Sequence, residues 1–266
     1  MEGSNRLEQA RARLRERLAH HRTDLELPVQ VRPLDPDEAI GKDADPSFVI
    51  KRGKERVIEA TFQEHKGQAF TDRPTGWTGT LEDLLSLNLH EISNRAVFVA
   101  GLNAVLSALE ELPGTVHCRD EDPSRCGPEV ARIAYERFGA VRVGLIGLQP
   151  AILKALVSQF GPDAVRVVDL NSDNVGEKRS GVLVWDGEQD LSRLVAECEV
   201  GLATGSSVVN RTLDEILEHF QQAEKPLILF GNTISGVAAL LGLERLCPFG
   251  RPGLPTSPTR SSLRSS

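Results

Sequence analysis

Residues 140–170, AVRVGLIGLQPAILKALVSQFGPDAVRVVDL, decide the fold. AVRVGLIG is a short, almost uninterrupted apolar run, the pattern of a strand buried on both faces. Pro150 then opens a helix, PAILKALVSQF, because its fixed φ suits a first turn, and Gly161 closes it. AVRVVDL repeats the apolar run and ends at Asp169 and Leu170. Strand, helix and parallel strand in about thirty residues make one right-handed crossover unit.

The same rhythm extends in both directions. Upstream, Val130, Ile133, Ala134 and Phe138 share one face of a helix that stops at Gly139. Downstream, GVLVW, EVGLATG and PLILFG alternate with the helical stretches LSRLVAEC and TLDEILEHF. The expectation is a Rossmann-like parallel sheet with helices on both faces over residues 116–250.

Residues 1–115 read differently. Leu7, Ala10, Leu14 and Leu18 form one helical stripe, suited to a neighbouring element or to the partner in a homodimer. LPVQVRPLDPDEAIGKDADP is broken by prolines and is not expected to be regular throughout. SFVIKRG, ERVIEATFQEH and GQAFTD read as two or three antiparallel strands separated at Gly53 and Gly67. After a turn at Pro74–Trp77, Thr80 caps one helix and Ser93 starts another that stops near Pro113 and Gly114. This half is α+β. The end, residues 251–266, has too little apolar surface to fold and is expected to be disordered.

At 266 residues, with 40% hydrophobic and 26% charged residues, the chain can bury a substantial core. Its formal charge of −7, without a basic stripe, argues against nucleic-acid binding. The first residues lack an apolar signal core, and the uncharged run Ala96–Leu109 is too short to span a bilayer. A cytoplasmic protein with reduced thiols is the expectation.

Ligands of such sheets bind beyond the carboxyl ends of the strands, and three stretches lie there. Gly144 and Gly147 occupy the first strand-to-helix turn, without the full dinucleotide spacing. Asp169, ending the next strand, stands where an acid binds ribose hydroxyls. Thr204, Gly205, Ser206, Asn210 and Thr212 supply hydroxyls, an amide and turn N–H groups near a helix start, where Asn210 or Thr212 also serves as a cap. Thr233, in GNTISG, has the same chemistry. Nothing in the sequence assembles a nucleophile elbow, a phosphate loop or a helix-borne pair of zinc histidines. His20 and His21 fall at a helix end, and His219 reads as a surface residue.

HCRDEDPSRC, residues 117–126, holds two of the four cysteines and one of the six histidines. Thiolate and imidazole suit Zn²⁺, Cu⁺ or an iron–sulfur cluster. His117, Cys118 and Cys126 would converge if Pro123 bends the loop and Cys126 precedes a helix, with Asp120, Glu121 and Asp122 adding negative potential and Cys247, an Asp or water as the fourth ligand. A capped loop with ordinary thiols and a redox pair are the other readings, since CxxC spacing is absent.

LNAVLSALEELPGTVHCRD, VGLIGLQPAILKAL, VVDLN and above all ATGSSVVNRTLDEIL resemble a family of unknown function described as putative heavy-metal chelation proteins. The resemblance runs from about Ser47 to Gly250. It implies an enolase-N-terminal-like domain over residues 1–115, a Rossmann-like domain after it, and a site where the two meet. Arg211 stands where the family pattern carries glycine. The expected function is binding of a metal, or of a metal-containing small molecule, between the domains. The alternatives are an enzyme using an adenosine-bearing cofactor, such as a methyltransferase or reductase, and a non-catalytic small-molecule sensor.

Overall fold

The computed structural model describes residues 5–42, 55–109 and 112–254. The strand read at SFVIKRG and the last residues of the chain, 255–266, lie outside them. Two sheets organise the rest, one antiparallel and one largely parallel.

Helix α1 (Arg6–His20) is capped by the Asn5 side chain, and the stripe Leu7, Ala10, Leu14 and Leu18 is buried as its spacing predicts. His20 is its last residue and His21 its C-cap, as the sequence placed them. The proline-broken stretch that follows is more regular than expected. It forms β1 (Pro28–Pro33) and the short helix α2 (Pro36–Ile40). β1 lies inside the first sheet, antiparallel to β2 (Arg56–Phe62) on one side and to β4 (Trp77–Thr80) on the other. Its prolines sit at its two ends, where a missing N–H disrupts the ladder least, while Val29 and Val31 between them are buried.

β2 pairs with β3 (His65–Thr71) through a hairpin whose turn is Gln63–Glu64, both at positive φ. Gly67, expected between strands, is inside β3. A Cβ there would stand 2.2 Å from the backbone nitrogen of Ala104, so the glycine lets a helix lie directly on the strand. Trp77, read as the end of a turn, begins β4. Thr80 caps α3 (Leu81–Leu85) as expected.

α4 (Ile92–Ala108) is buried on all sides, which explains its run of small apolar residues. It packs on β2 and β3 with one face and on α9 with another. Its uncharged run is thus a core helix between layers.

α5 (Asp122–Phe138) starts five residues before Gly127, so Cys126 is inside the helix rather than ahead of it. β5 (Val143–Ile146), α6 (Pro150–Phe160) and β6 (Val165–Asp169) follow as the opening stretch requires. Then come β7 (Lys178–Arg179), β8 (Val182–Asp186), α7 (Leu191–Glu197), β9 (Val200–Thr204), α8 (Leu213–Gln222), β10 (Leu227–Phe230), α9 (Ser235–Leu241) and β11 (Arg245–Leu246). The strand order is β11-β10-β9-β5-β6-β8-β7, and only the edge strand β7 is antiparallel. The chain builds outward from β5 through β6 to β8, then returns to β9 and builds the other way. Between β5 and β9 the connections diverge, which opens a crevice at the carboxyl ends of the strands.

One apolar cluster runs from α1 and the first sheet through α4 to α7, α8 and α9, so the two sheets share a core. A second cluster joins α5 and α6 to the opposite face of the second sheet. Beyond β11 the chain turns back: Arg251 and Val116 exchange backbone hydrogen bonds, and Lys66 donates to Gly253 O at 2.6 Å.

Candidate functional site

The turns that follow β5, β6, β9 and β10 come together in the crevice. Gly147 has φ +86° and donates to Val168 O; a Cβ on it would sit 2.4 Å from Thr204 Cγ2. Glycine there lets two turns touch. Gly144 does not line the crevice. It lies under α7, where a Cβ would meet Leu194 and Cys198, so its role is helix-on-sheet packing and the cofactor contact read from sequence is corrected.

Asp169 does line it, but its oxygens are engaged: Oδ2 accepts from Leu148 N at 2.6 Å, and Oδ1 from Asn171 N and Asn174 Nδ2 at 2.9 and 3.1 Å. The carboxylate organises its own loop and ties it to the β5 turn, instead of standing free for a ribose.

Thr204, Gly205 and Ser206 begin a 3₁₀ turn, Gly205–Val208, with Thr204 Oγ1 3.0 Å from Ser206 Oγ. Arg95 of α4 holds this turn from beneath. Its Nε donates to Val208 O and Val209 O at 3.1 and 3.0 Å, and its Nη1 to Leu89 O at 3.2 Å. It is 3% exposed, and three carbonyls take the place of a carboxylate partner. Burial lowers its pKa from the usual guanidinium value. Arg211 has φ +67°, the left-handed conformation that glycine adopts without cost. Thr212 occupies the cap position of α8 but makes no capping bond, and it faces the crevice with Asn210.

After β10, the turn Gly231–Asn232–Thr233 is fixed to the first sheet. Thr233 Oγ1 accepts from Phe70 N at 3.1 Å. Asn103 of α4, fully buried, donates to Gln68 O, Asn232 O and Thr233 O and accepts from Gly236 N at 2.7 Å. Thr233 is therefore a tie between the halves as well as a lining residue. Two buried side-chain atoms among the described residues have no partner: Ser207 Oγ and Asn232 Oδ1.

His117, Cys118 and Cys126 line another wall, and Cys247 joins them there. His117 Nδ1 lies 2.6 Å from Cys118 O and donates to it; burial pulls its pKa down to about 4, so the ring is neutral at pH 7. The thiols of Cys118 and Cys126 share a hydrogen bond that raises the pKa of Cys118 and lowers that of Cys126. The sharing, and not a helix N-terminus, makes Cys126 the readier thiolate. Burial raises Cys247. All four cysteines are free. Asp120 and Asp122 pair with Arg251 instead of contributing to the crevice. Among the described residues no three His, Cys, Asp or Glu side chains are arranged to hold a metal ion. His117, Cys118 and Cys126 form a shared wall without a three-ligand set among the described residues, since His117 Nδ1 is engaged with the Cys118 carbonyl and the two thiols with each other.

The crevice encloses about 770 Å³ and takes lining from both halves, Ile40, Phe70 and Ile92 among the first. Its charged lining residues among the described ones are Glu55, Asp72, Asp169, Glu188 and Glu215; no lysine or arginine is included. Burial, then the charges of Asp169 and Asp72, push Glu55 up to about 7. Such a shift in a cleft marks a candidate functional group. Sequence reasoning missed these acids other than Asp169. Glu55 lies just before a strand in the other half and carries no motif, and only the close approach of Asp72 and Asp169 gives it meaning.

Residues 130–243 match the model of the DUF364 family, described as "Putative heavy-metal chelation". The resemblance read from the sequence is borne out over that segment. No curated protein matches the chain. A solved protein of unknown function from the DUF364 family of Pyrococcus horikoshii aligns with TM-score 0.53 and 18% identity, over 86% of this chain and 79% of its own. Another, from Desulfitobacterium hafniense DCB-2, aligns with TM-score 0.45 and 16% identity, over 70% of this chain and 72% of its own. At that identity the first likeness speaks to the fold alone.

Proposed function

We propose that the protein binds a small, positively charged molecule, a metal carried in a chelate, in the crevice between a first domain of residues 1–115 and a second of residues 116–250. The observation that carries this reading is the lining: five acidic side chains and no described cation around about 770 Å³, a volume suited to an organic ligand and not to a bare ion. A bare ion finds no three-ligand set among the described residues. A cationic complex needs none, since it brings its own ligands and asks only for negative potential and hydrogen-bond acceptors. The family description, heavy-metal chelation, fits this division of labour.

The strand order supports a Rossmann-like assignment for the second domain, and the antiparallel sheet with its helices supports the enolase-N-terminal-like assignment for the first. The adenosine reading narrows on the same lining. A nicotinamide dinucleotide would bring the negative charge of its pyrophosphate into a crevice whose described charged lining is all acidic, which counts against the reductase reading. A sulfonium cofactor such as S-adenosylmethionine has the charge the crevice favours, so the methyltransferase reading stays second. Calorimetric titration separates these. Tris(ethylenediamine)cobalt(III), an inert cation, should bind; cobalt(III) complexed with ethylenediaminetetraacetate, an anion, should not. Equal binding of both, or binding of the anion alone, would reject the charge argument. Tight binding of S-adenosylmethionine with none of the cobalt cation would favour the second reading.

A further inference from the structure

Cys118 lies in the loop before α5 and Cys126 in the second turn of that helix, yet their thiols share a hydrogen bond. Other segments hold the backbone around them. Val116 and Arg251 exchange backbone hydrogen bonds, His117 N donates to Gln68 Oε1 at 2.9 Å, and Asp120 N donates to Ile40 O at 2.7 Å. Asp120 takes φ +60°, which turns the chain into the helix, and Arg251 pairs with Asp120 and Asp122 across that turn. Two thiols held in contact are placed to bond without a large backbone movement. Their surroundings differ. Cys118 is buried, whereas Cys126 is half-buried on the crevice wall. The Cys118 S–H donates to Cys126, which favours thiolate at Cys126 and opposes it at Cys118. Thiolate character and access together decide which thiol attacks an external disulfide. Cys126 has both. Cys247 lines the same wall, but its sulfur accepts from the Arg245 side chain.

We infer that Cys118 and Cys126 form a reversible disulfide, made by exchange with a small disulfide that enters the crevice. The Cys126 sulfur attacks one sulfur of the incoming disulfide and forms a mixed disulfide. The small thiolate that leaves takes up the proton that Cys126 gave up. The Cys118 sulfur then attacks the Cys126 sulfur, breaks the mixed bond and releases the second small thiol, to which its own proton passes. Two protein thiols are oxidised, one small disulfide is reduced to two thiols, and no other reactant is needed. The product ties the loop of residues 117–121 to α5 and removes both S–H groups from the crevice wall. It is independent of the ligand that the crevice holds.

The test incubates the full-length protein with bis(2-hydroxyethyl) disulfide, which is small and uncharged. The remaining thiols are then blocked with N-ethylmaleimide and the linkage is read by peptide mass spectrometry. Wild type should lose two of its four free thiols and yield a peptide pair joined through Cys118 and Cys126. Dithiothreitol should restore both thiols. Cys118→Ser should stop at a mixed disulfide on Cys126, which identifies the thiol that is reached from the crevice. Cys126→Ser should leave Cys118 unmodified over the same interval. Four thiols that survive in the folded protein while its urea-unfolded form reacts would overturn the inference. So would a mixed disulfide that persists on wild-type Cys126, a linkage to Cys247 in place of this pair, or an adduct on Cys118 in the Cys126→Ser protein. The wild-type linkage map decides between these outcomes even if a serine disturbs the wall.

Discussion

Replacing Asn103 with leucine removes the polar link on which the site depends. Asn103 is fully buried in α4 and its amide satisfies groups on three other segments: Gln68 O on β3, Asn232 O and Thr233 O on the turn after β10, and Gly236 N at the start of α9. Leucine has similar bulk and no polar atom. Gly236 N–H and at least two of the carbonyls would then be buried without this partner. A stranded buried group costs about 1–3 kcal/mol, so a loss of about 3–5 kcal/mol follows, with the added apolar contact offsetting little of it. For a protein of this length each kcal/mol is worth about 2 °C, which places the fall in Tm at about 6–10 °C. Thermal melts followed by circular dichroism read the change directly, and urea titration gives the free energy. A Tm within about 2 °C of wild type would refute the reasoning, since it would mean that the carbonyls find other partners.

Arg211→Gly should stabilise by about 1 kcal/mol in urea unfolding, because Arg211 holds φ +67° and glycine adopts it without the side-chain penalty. Gly67→Ala should destabilise by about 1–3 kcal/mol by the same assay, since its Cβ would press on the backbone of α4 at Ala104, which cannot swing aside as a side chain would. Glu55 has a folded pKa of about 7 against 4.5 for an ordinary glutamate, with Asp169 and Asp72 as the charges facing it. Its protonated form therefore favours the folded state below about pH 4.5, and that advantage is lost as pH rises through about 7. Glu55→Gln should match wild type at pH 4 and exceed it at pH 8 by up to roughly 3 kcal/mol, as the shift converts; equal stability curves across that range would deny the burial of this acid.

Much of the second sheet was legible because buried parallel strands and their helices leave simple marks. Pro150 and Gly161 bound α6 where the sequence placed them, and Thr80 caps α3. β1 was not legible, since its prolines fall at the strand ends and only the pairing with β2 and β4 shows that they do no harm there. Gly67 misled for a related reason: in sequence a glycine among strand residues reads as a turn, whereas here it admits a helix. Thr204, Gly205, Ser206, Asn210, Thr212 and Thr233 could be placed at the strand ends from the sequence, and the structure puts them along one crevice. Glu55 was not found, because its interest lies in what surrounds it. The histidine and cysteines of residues 117–126 drew attention by residue type, yet type could not reveal that His117 spends Nδ1 on a neighbouring carbonyl.

Anomalous diffraction at the cobalt edge, from crystals soaked in tris(ethylenediamine)cobalt(III), tests the central claim most directly, because an inert complex must be recognised by charge and hydrogen bonds alone. The account predicts a cobalt peak inside the crevice, between Glu55 or Asp72 and the turns that follow β9 and β10. Cobalt found only on the outer surface, with the crevice unchanged, would contradict it.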